Sequence, residues 1–220
     1  MKERLRGIFL DLLAEISLDR AMRERIVCRD GVLEVGGERI DLGEYKKVLV
    51  VAVGKAAAPM AEEFARIVAP RRVSGIVVSS VEVERPPEFF LAYRGGHPYP
   101  NAESIHAAEV ALEMLSDLKP HHLVVYLLSG GGSAVFEKPI DPSISLDDLR
   151  EFYRLLVTCG ANIVDMNVLR KRFSAVKGGR LAERAHPARQ VTLYVSDVPP
   201  GRDSSVASGP TMPDESTVEQ

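Results

Sequence analysis

Two uninterrupted apolar runs, 48–53 (VLVVAV) and 123–128 (LVVYLL), constrain the fold of this chain more than any other feature. A strand with one wet face alternates apolar and polar residues, whereas a continuous run needs cover on both faces. Runs of this length are strand-sized and far below a membrane span. Similar runs occupy 75–79 and 190–195, with a less regular one at 89–93. Between them lie segments of helical periodicity: 56–68, with Met60, Phe64 and Ile67 inward, 101–118, with Ile105, Ala108, Leu112 and Leu115 on one stripe, 146–159, and 168–185. Strands alternating with helices predict a mainly parallel sheet covered on both sides. The expected fold is therefore α/β: a doubly wound, three-layer α/β/α, Rossmann-like domain over residues 1–220. A small helix precedes it, with Leu5, Ile8, Phe9, Leu12, Leu13 and Ile16 on one face, followed by a β-hairpin at 30–42 around Gly36-Gly37. The stretch 196–220 reads as loop, rich in Ser, Pro and Asp, and ends without an element to close it, so further chain is expected to have followed.

The remaining composition excludes several classes. With 45% hydrophobic and 27% charged residues the chain is globular and not disordered. A net charge of −3, without a basic stripe carrying aromatics, argues against a nucleic-acid partner. The N-terminus MKERLR lacks the apolar core of a signal peptide, so a cytoplasmic location and no membrane partner are expected. Cys28 and Cys159 are too isolated for a disulfide framework, and no ligand spacing announces a structural metal.

In open α/β sheets ligands gather beyond the carboxyl ends of the strands. Three such ends are chemically marked: Gly54-Lys55, Ser129-Gly130-Gly131-Gly132-Ser133, and Ser196-Asp197. The triple glycine lets backbone N–H groups approach a ligand as an anion nest, or else serves as a permissive turn. It is neither a P-loop nor a dinucleotide fingerprint, which disfavours a nicotinamide oxidoreductase. Lys55 places a cation where a helix starts, a position that normally favours negative charge; a shared anion would reconcile the two, and a solvated lysine is the plain alternative. On a continuous helix Asn167, Arg170, Ser174 and Lys177 fall within about 80° of arc, with Val168, Leu169, Phe173 and Val176 opposite and core-facing. That cationic stripe suits phosphate or carboxylate, or is merely a solvated face. Asp197 suits Mg²⁺, a substrate proton or a turn cap. His97, in GGHPYP, reads equally as structural or as a ligand contact.

Together these segments resemble the N-terminal domain of the ATP-dependent glycerate 2-kinases, a family often labelled hydroxypyruvate reductase. The matching motifs run in order from VGKAA at 53–57 through GHP at 96–98, LSGGGSA at 128–134, NVLRKRFSAVKGG at 167–179 and SDV at 196–198 to ASGPTMPD at 207–214. The resemblance implies phosphoryl transfer from ATP to glycerate or a similar hydroxy acid, giving 2-phosphoglycerate. It implies catalytic roles for Lys55 and Asp197, and nucleotide contacts from Gly54 and from Ser129, Gly130, Gly131, Gly132 and Ser133. Asn167, Arg170, Lys171 and Lys177 would bind substrate, and Asp197 would hold Mg²⁺. Family members carry a second, C-terminal domain, so these residues are expected to form one wall of a cleft and to be inactive alone, with a homodimer as the expected partner arrangement. A reductase and a non-catalytic nucleotide- or anion-binding module are the rival readings. Two departures stand out: the family's Gly-Asp after Ser-Asp-Val is replaced by PPGRD at 199–203, and the Asp after His-Pro-x-Pro is Asn101. The first puts acceptor identity or metal binding in question.

Overall fold

The apolar runs become the centre of a five-stranded sheet in the computed structural model, which describes residues 1–15, 17–196, 198 and 203–217. The strands are β4 (Lys47–Val53), β5 (Ser74–Ser79), β6 (Phe90–Arg94), β7 (His122–Ser129) and β8 (Arg189–Val195), in the order β6-β5-β4-β7-β8. Every pairing is parallel, and β4 meets β7 in the register Val48↔Leu123 to Val53↔Leu128. The order reverses between β4 and β7, so their outgoing loops diverge and open a crevice there.

Both faces of β4 are buried, as its continuous run requires. Val48, Val50 and Ala52 pack with Met60 and Phe64 of α3 (Ala57–Ile67). Leu49, Val51 and Val53 pack on the opposite side with Ala107, Ala111 and Leu115 of α4 (Ala102–Leu115). The first layer is completed by α2 (Leu18–Arg25), whose Arg23 is tied to the buried Glu63 of α3 at 2.6 Å. The second layer also takes Leu181 and Ala185, in and just beyond α8 (Arg180–Arg184). The three-layer α/β arrangement expected from the alternation of elements is therefore present.

Two expectations change. The hairpin at 30–42 is the latter part of a three-stranded antiparallel meander, β1 (Ile26–Arg29), β2 (Val32–Val35) and β3 (Glu38–Asp41). Asp30-Gly31 makes a first turn like that of Gly36-Gly37; all four residues have positive φ, as tight hairpin turns demand. Second, the single helix at 168–185 is two helices, α7 (Ile163–Phe173) and α8. Ser174 is extended and forms an isolated antiparallel bridge with Pro139. Around it Ile140 N–H donates to Phe173 O at 2.9 Å and Ala175 N–H to Lys138 O at 2.7 Å, so the backbone bonds across instead of continuing the helix. The element preceding α7 is α6 (Leu146–Thr158), and a short α5 (Gly132–Val135) follows β7. The first helix, α1 (Lys2–Glu15), leaves Leu5, Ile8, Phe9, Leu12 and Leu13 exposed. No helix among the described residues is long and apolar enough to cross a membrane.

Candidate functional site

The loops after β4 and β7 are locked together at their first residues. Gly54 has φ +117°, and a Cβ there would lie 2.4 Å from both the carbonyl and the hydroxyl oxygen of Ser129, so only glycine fits. Ser129 Oγ accepts the N–H of Ala56 at 3.0 Å, capping the start of α3 from the neighbouring strand, while Lys55 N–H donates to Gly130 O at 2.9 Å. These bonds occupy backbone groups of the expected phosphate loop with structural duties. Gly132 is pressed against the segment after β8: a Cβ on it would come within 2.5 Å of the Ala207 methyl.

What remains free faces a cavity of ≈ 480 Å³ at this end of the sheet. Of the expected site residues, Gly130, Gly131, Ser133, Asn167 and Arg170 line it, joined by His97. No aspartate or glutamate is among the described lining residues. Lys55 stands at the rim; its side chain is exposed and lies against Gly131, near His97. Asp197 lies outside the described residues, although Ser196, which follows the end of β8, is on the same side. Burial first, then the charges of Lys55 and Arg170, hold the His97 imidazole below its ordinary pKa.

The cationic stripe divides into two groups, which corrects the expectation of one shared face. Asn167 and Arg170 are buried in the cavity wall, at 4% and 8% exposure. Lys171 instead pairs with Asp214 at 3.3 Å. Lys177, 1% exposed, gives its ammonium to Glu137 at 2.8 Å and to the Phe136 carbonyl at 2.9 Å. Burial pushes the Lys177 pKa down, and the Glu137 carboxylate opposes that shift. The sides of α7 are also reversed: Leu169 and Phe173, expected inward, are exposed, while the polar residues point in. Only Val176, beyond the break, is buried as expected.

Sequence reasoning did not anticipate the groups that hold this wall. The Tyr153 hydroxyl lies 2.5 Å from Glu137 Oε2 and 2.8 Å from Ser133 O, and its ring sits 5.2 Å from the Arg170 guanidinium. Burial, then Glu137, raises the Tyr153 pKa well above the ordinary phenol value, so it remains a proton donor. Ser208, fully buried, reaches Asn167 Oδ1 at 3.0 Å and Ser133 Oγ at 2.8 Å. Ser208 falls within the ASGPTMPD segment at 207–214 that carries part of the resemblance, whereas nothing in the sequence marks Tyr153 or Glu137.

Residues 4–220 match the family model described as a domain of unknown function, DUF4147. A D-glycerate 2-kinase of Thermotoga maritima is 41% identical over 174 residues, covering 79% of this chain and 42% of the relative. A glycerate 2-kinase of Pyrococcus horikoshii is 36% identical over 200 residues, covering 91% of this chain and 44% of the relative. Among solved structures, the Thermotoga maritima glycerate kinase superposes with a TM-score of 0.79 at 35% identity, covering 99% of this chain and 50% of that one. The chain thus spans about half the length of the relatives it matches. Matched along nearly its whole length by that model, and by glycerate 2-kinases in both sequence and fold, the chain belongs to the glycerate 2-kinase family.

Proposed function

We propose that these residues form one wall of a site where a phosphoryl group passes from ATP to a hydroxyl of glycerate or a similar small hydroxy acid, giving 2-phosphoglycerate. The observation that supports this best is a cleft at the sheet's switch point with free hydrogen-bond donors, a cation at its rim and no described carboxylate in its lining. Two phosphorylated or carboxylated ligands carry net negative charge, and such a lining neutralises it without competing for it.

In this reading Gly130, Gly131 and Ser133 approach the nucleotide phosphates, with Gly54, Ser129 and Gly132 fixing the loop from behind. Lys55 neutralises charge on the transferred group and acts as the principal catalytic cation. Asn167 and Arg170 receive the acceptor, and Lys171 and Lys177 act through them by holding their surroundings in place. Asp197 orients the attacking hydroxyl or carries the metal. No group of three or more His, Cys, Asp or Glu side chains that could hold an ion occurs among the described residues, so the protein ligand assigned here is Asp197 alone. Mg²⁺, bound by the nucleotide phosphates and that carboxylate, would supply further charge neutralisation.

Lys55→Met tests the reading. The side chain is exposed, so stability should change by less than about 0.5 kcal/mol. Calorimetric binding of ATP or D-glycerate should weaken by about 1.5–3 kcal/mol, the worth of a charge-assisted hydrogen bond. Unchanged affinity for both ligands would remove Lys55, and with it the phosphoryl-transfer reading of this cleft.

A further inference from the structure

Two donors in the cavity wall have nothing to bond. Asn167 Nδ2 and Arg170 Nε are buried and without a hydrogen-bond partner among the described residues. Leaving such groups unpaired in a protein interior is costly, so a partner from outside the chain is expected to complete them. They sit on one turn of α7 and belong to side chains that line the same cavity.

The direction of the Asn167 amide is imposed by its neighbours. Arg170 Nη1 donates to Asn167 Oδ1 at 3.2 Å, and Ser208 Oγ donates to the same oxygen at 3.0 Å. Arginine has donors only, so the atom it meets must be the amide oxygen, and the NH₂ end is the free one. The single Ser208 proton is spent on Asn167, so in the 2.8 Å contact between the two hydroxyls Ser133 is the donor. Protons therefore run from Ser133 to Ser208 to Asn167 Oδ1, and the chain ends on an NH₂ group with both hydrogens unused. Beside it stands a guanidinium held over the Tyr153 ring.

Resting on the proposed function, we infer that Asn167 and Arg170 are the clamp for the acceptor's carboxylate, and that Ser208 is the positioning residue that keeps the amide turned donor-first. An amide and a guanidinium that both present N–H groups match the two acceptor oxygens of a carboxylate and repel nothing in it. They offer no acceptor for the hydroxymethyl group of a neutral polyol. The site therefore selects small hydroxy acids over polyols and hydroxy amides of the same size.

The test measures binding of D-glycerate, glycerol and glyceramide to the full 220-residue chain by calorimetry, with ATP titrated separately. Wild type should bind D-glycerate and neither neutral analogue. Asn167→Asp, isosteric and still paired with Arg170, should lose D-glycerate affinity on the order of 100-fold with an unchanged circular dichroism spectrum and a smaller loss of ATP affinity. Ser208→Ala frees the amide to turn and should cost roughly tenfold in D-glycerate affinity, without effect on ATP. Should Ser208→Ala fail to fold, the Asn167 side-chain amide resonances of wild type serve instead: they should shift on addition of D-glycerate and not of glycerol. Equal binding of glycerate and glycerol, no glycerate binding at all, or an Asn167→Asp variant with wild-type glycerate affinity overturns the clamp. Loss of ATP binding on its own would instead strike the phosphoryl-transfer reading and leave the clamp standing.

Discussion

His97 reports on the charge of the cleft. Burial and the nearby cations Lys55 and Arg170 depress its pKa, so the ring is neutral at neutral pH. An anion placed between those cations offsets their charge, which favours the protonated ring. Sulfate, whose own charge is fixed in this range, should therefore move the His97 pKa upward, and its affinity should rise as pH falls through that pKa. An NMR titration of the His97 ring with and without saturating sulfate reads the shift directly; coincident curves would place the anion elsewhere. The buried Lys177–Glu137 pair makes a second residue-scale prediction. Glu137→Ala strands a buried ammonium and should lower unfolding free energy in urea by about 3–5 kcal/mol, whereas replacing both partners with Lys177→Met and Glu137→Leu should recover much of the loss. A Glu137→Ala variant as stable as wild type would show that Lys177 is already neutral.

At the scale of elements, α7 shows where sequence reading stops. Periodicity separates the two sides of a helix but does not say which one faces the protein. Here Asn167, Arg170 and Lys171 go inward because distant groups receive two of them: Ser208 meets the amide and Asp214 the lysine. No local pattern encodes partners forty residues away. The break at Ser174 was hidden for the same reason, since its bridge runs to Pro139. By contrast β4 and β7, whose cover follows from composition alone, are in place to within a residue, as is the start of α4. The third strand of the meander is only four residues long, too short to carry a periodicity of its own, so the Asp30-Gly31 turn is its one local mark. Of the cleft, the glycine loop and Lys55 were legible as strand ends, while the Tyr153 and Ser208 supports were not. The reversal of α7 is measurable: Leu169→Gln should change stability by less than about 0.5 kcal/mol. Val176→Ala, at a fully buried site, should cost about 2 kcal/mol. A Leu169→Gln variant that loses as much stability in urea as Val176→Ala would restore the core-facing assignment of Leu169.

Across the whole molecule, β4 and β7 have a paired strand on each side and a helical layer on each face, while β8 lies at an edge with much of its length partly exposed. Amide hydrogens of 48–53 and 123–128 should accordingly exchange last, and those of β8 well before them; equal protection of edge and centre in an exchange experiment would contradict this layering. The pairing of β4 with β7 has a further consequence in time. Val48 and its partner Leu123 are 75 positions apart, 123 − 48, in the chain. At a synthesis rate of about 5–20 residues per second, β4 waits roughly 4–15 s for that neighbour to be made. Until then the ribosome carries a half-sheet of β4, β5 and β6 with one flank open, and Gly54 and Lys55 face no glycine loop. The crevice forms only after β7 and the loop beyond it have been made, so a ligand there cannot guide the pairing of β4, β5 and β6 and acts only once β7 has joined them.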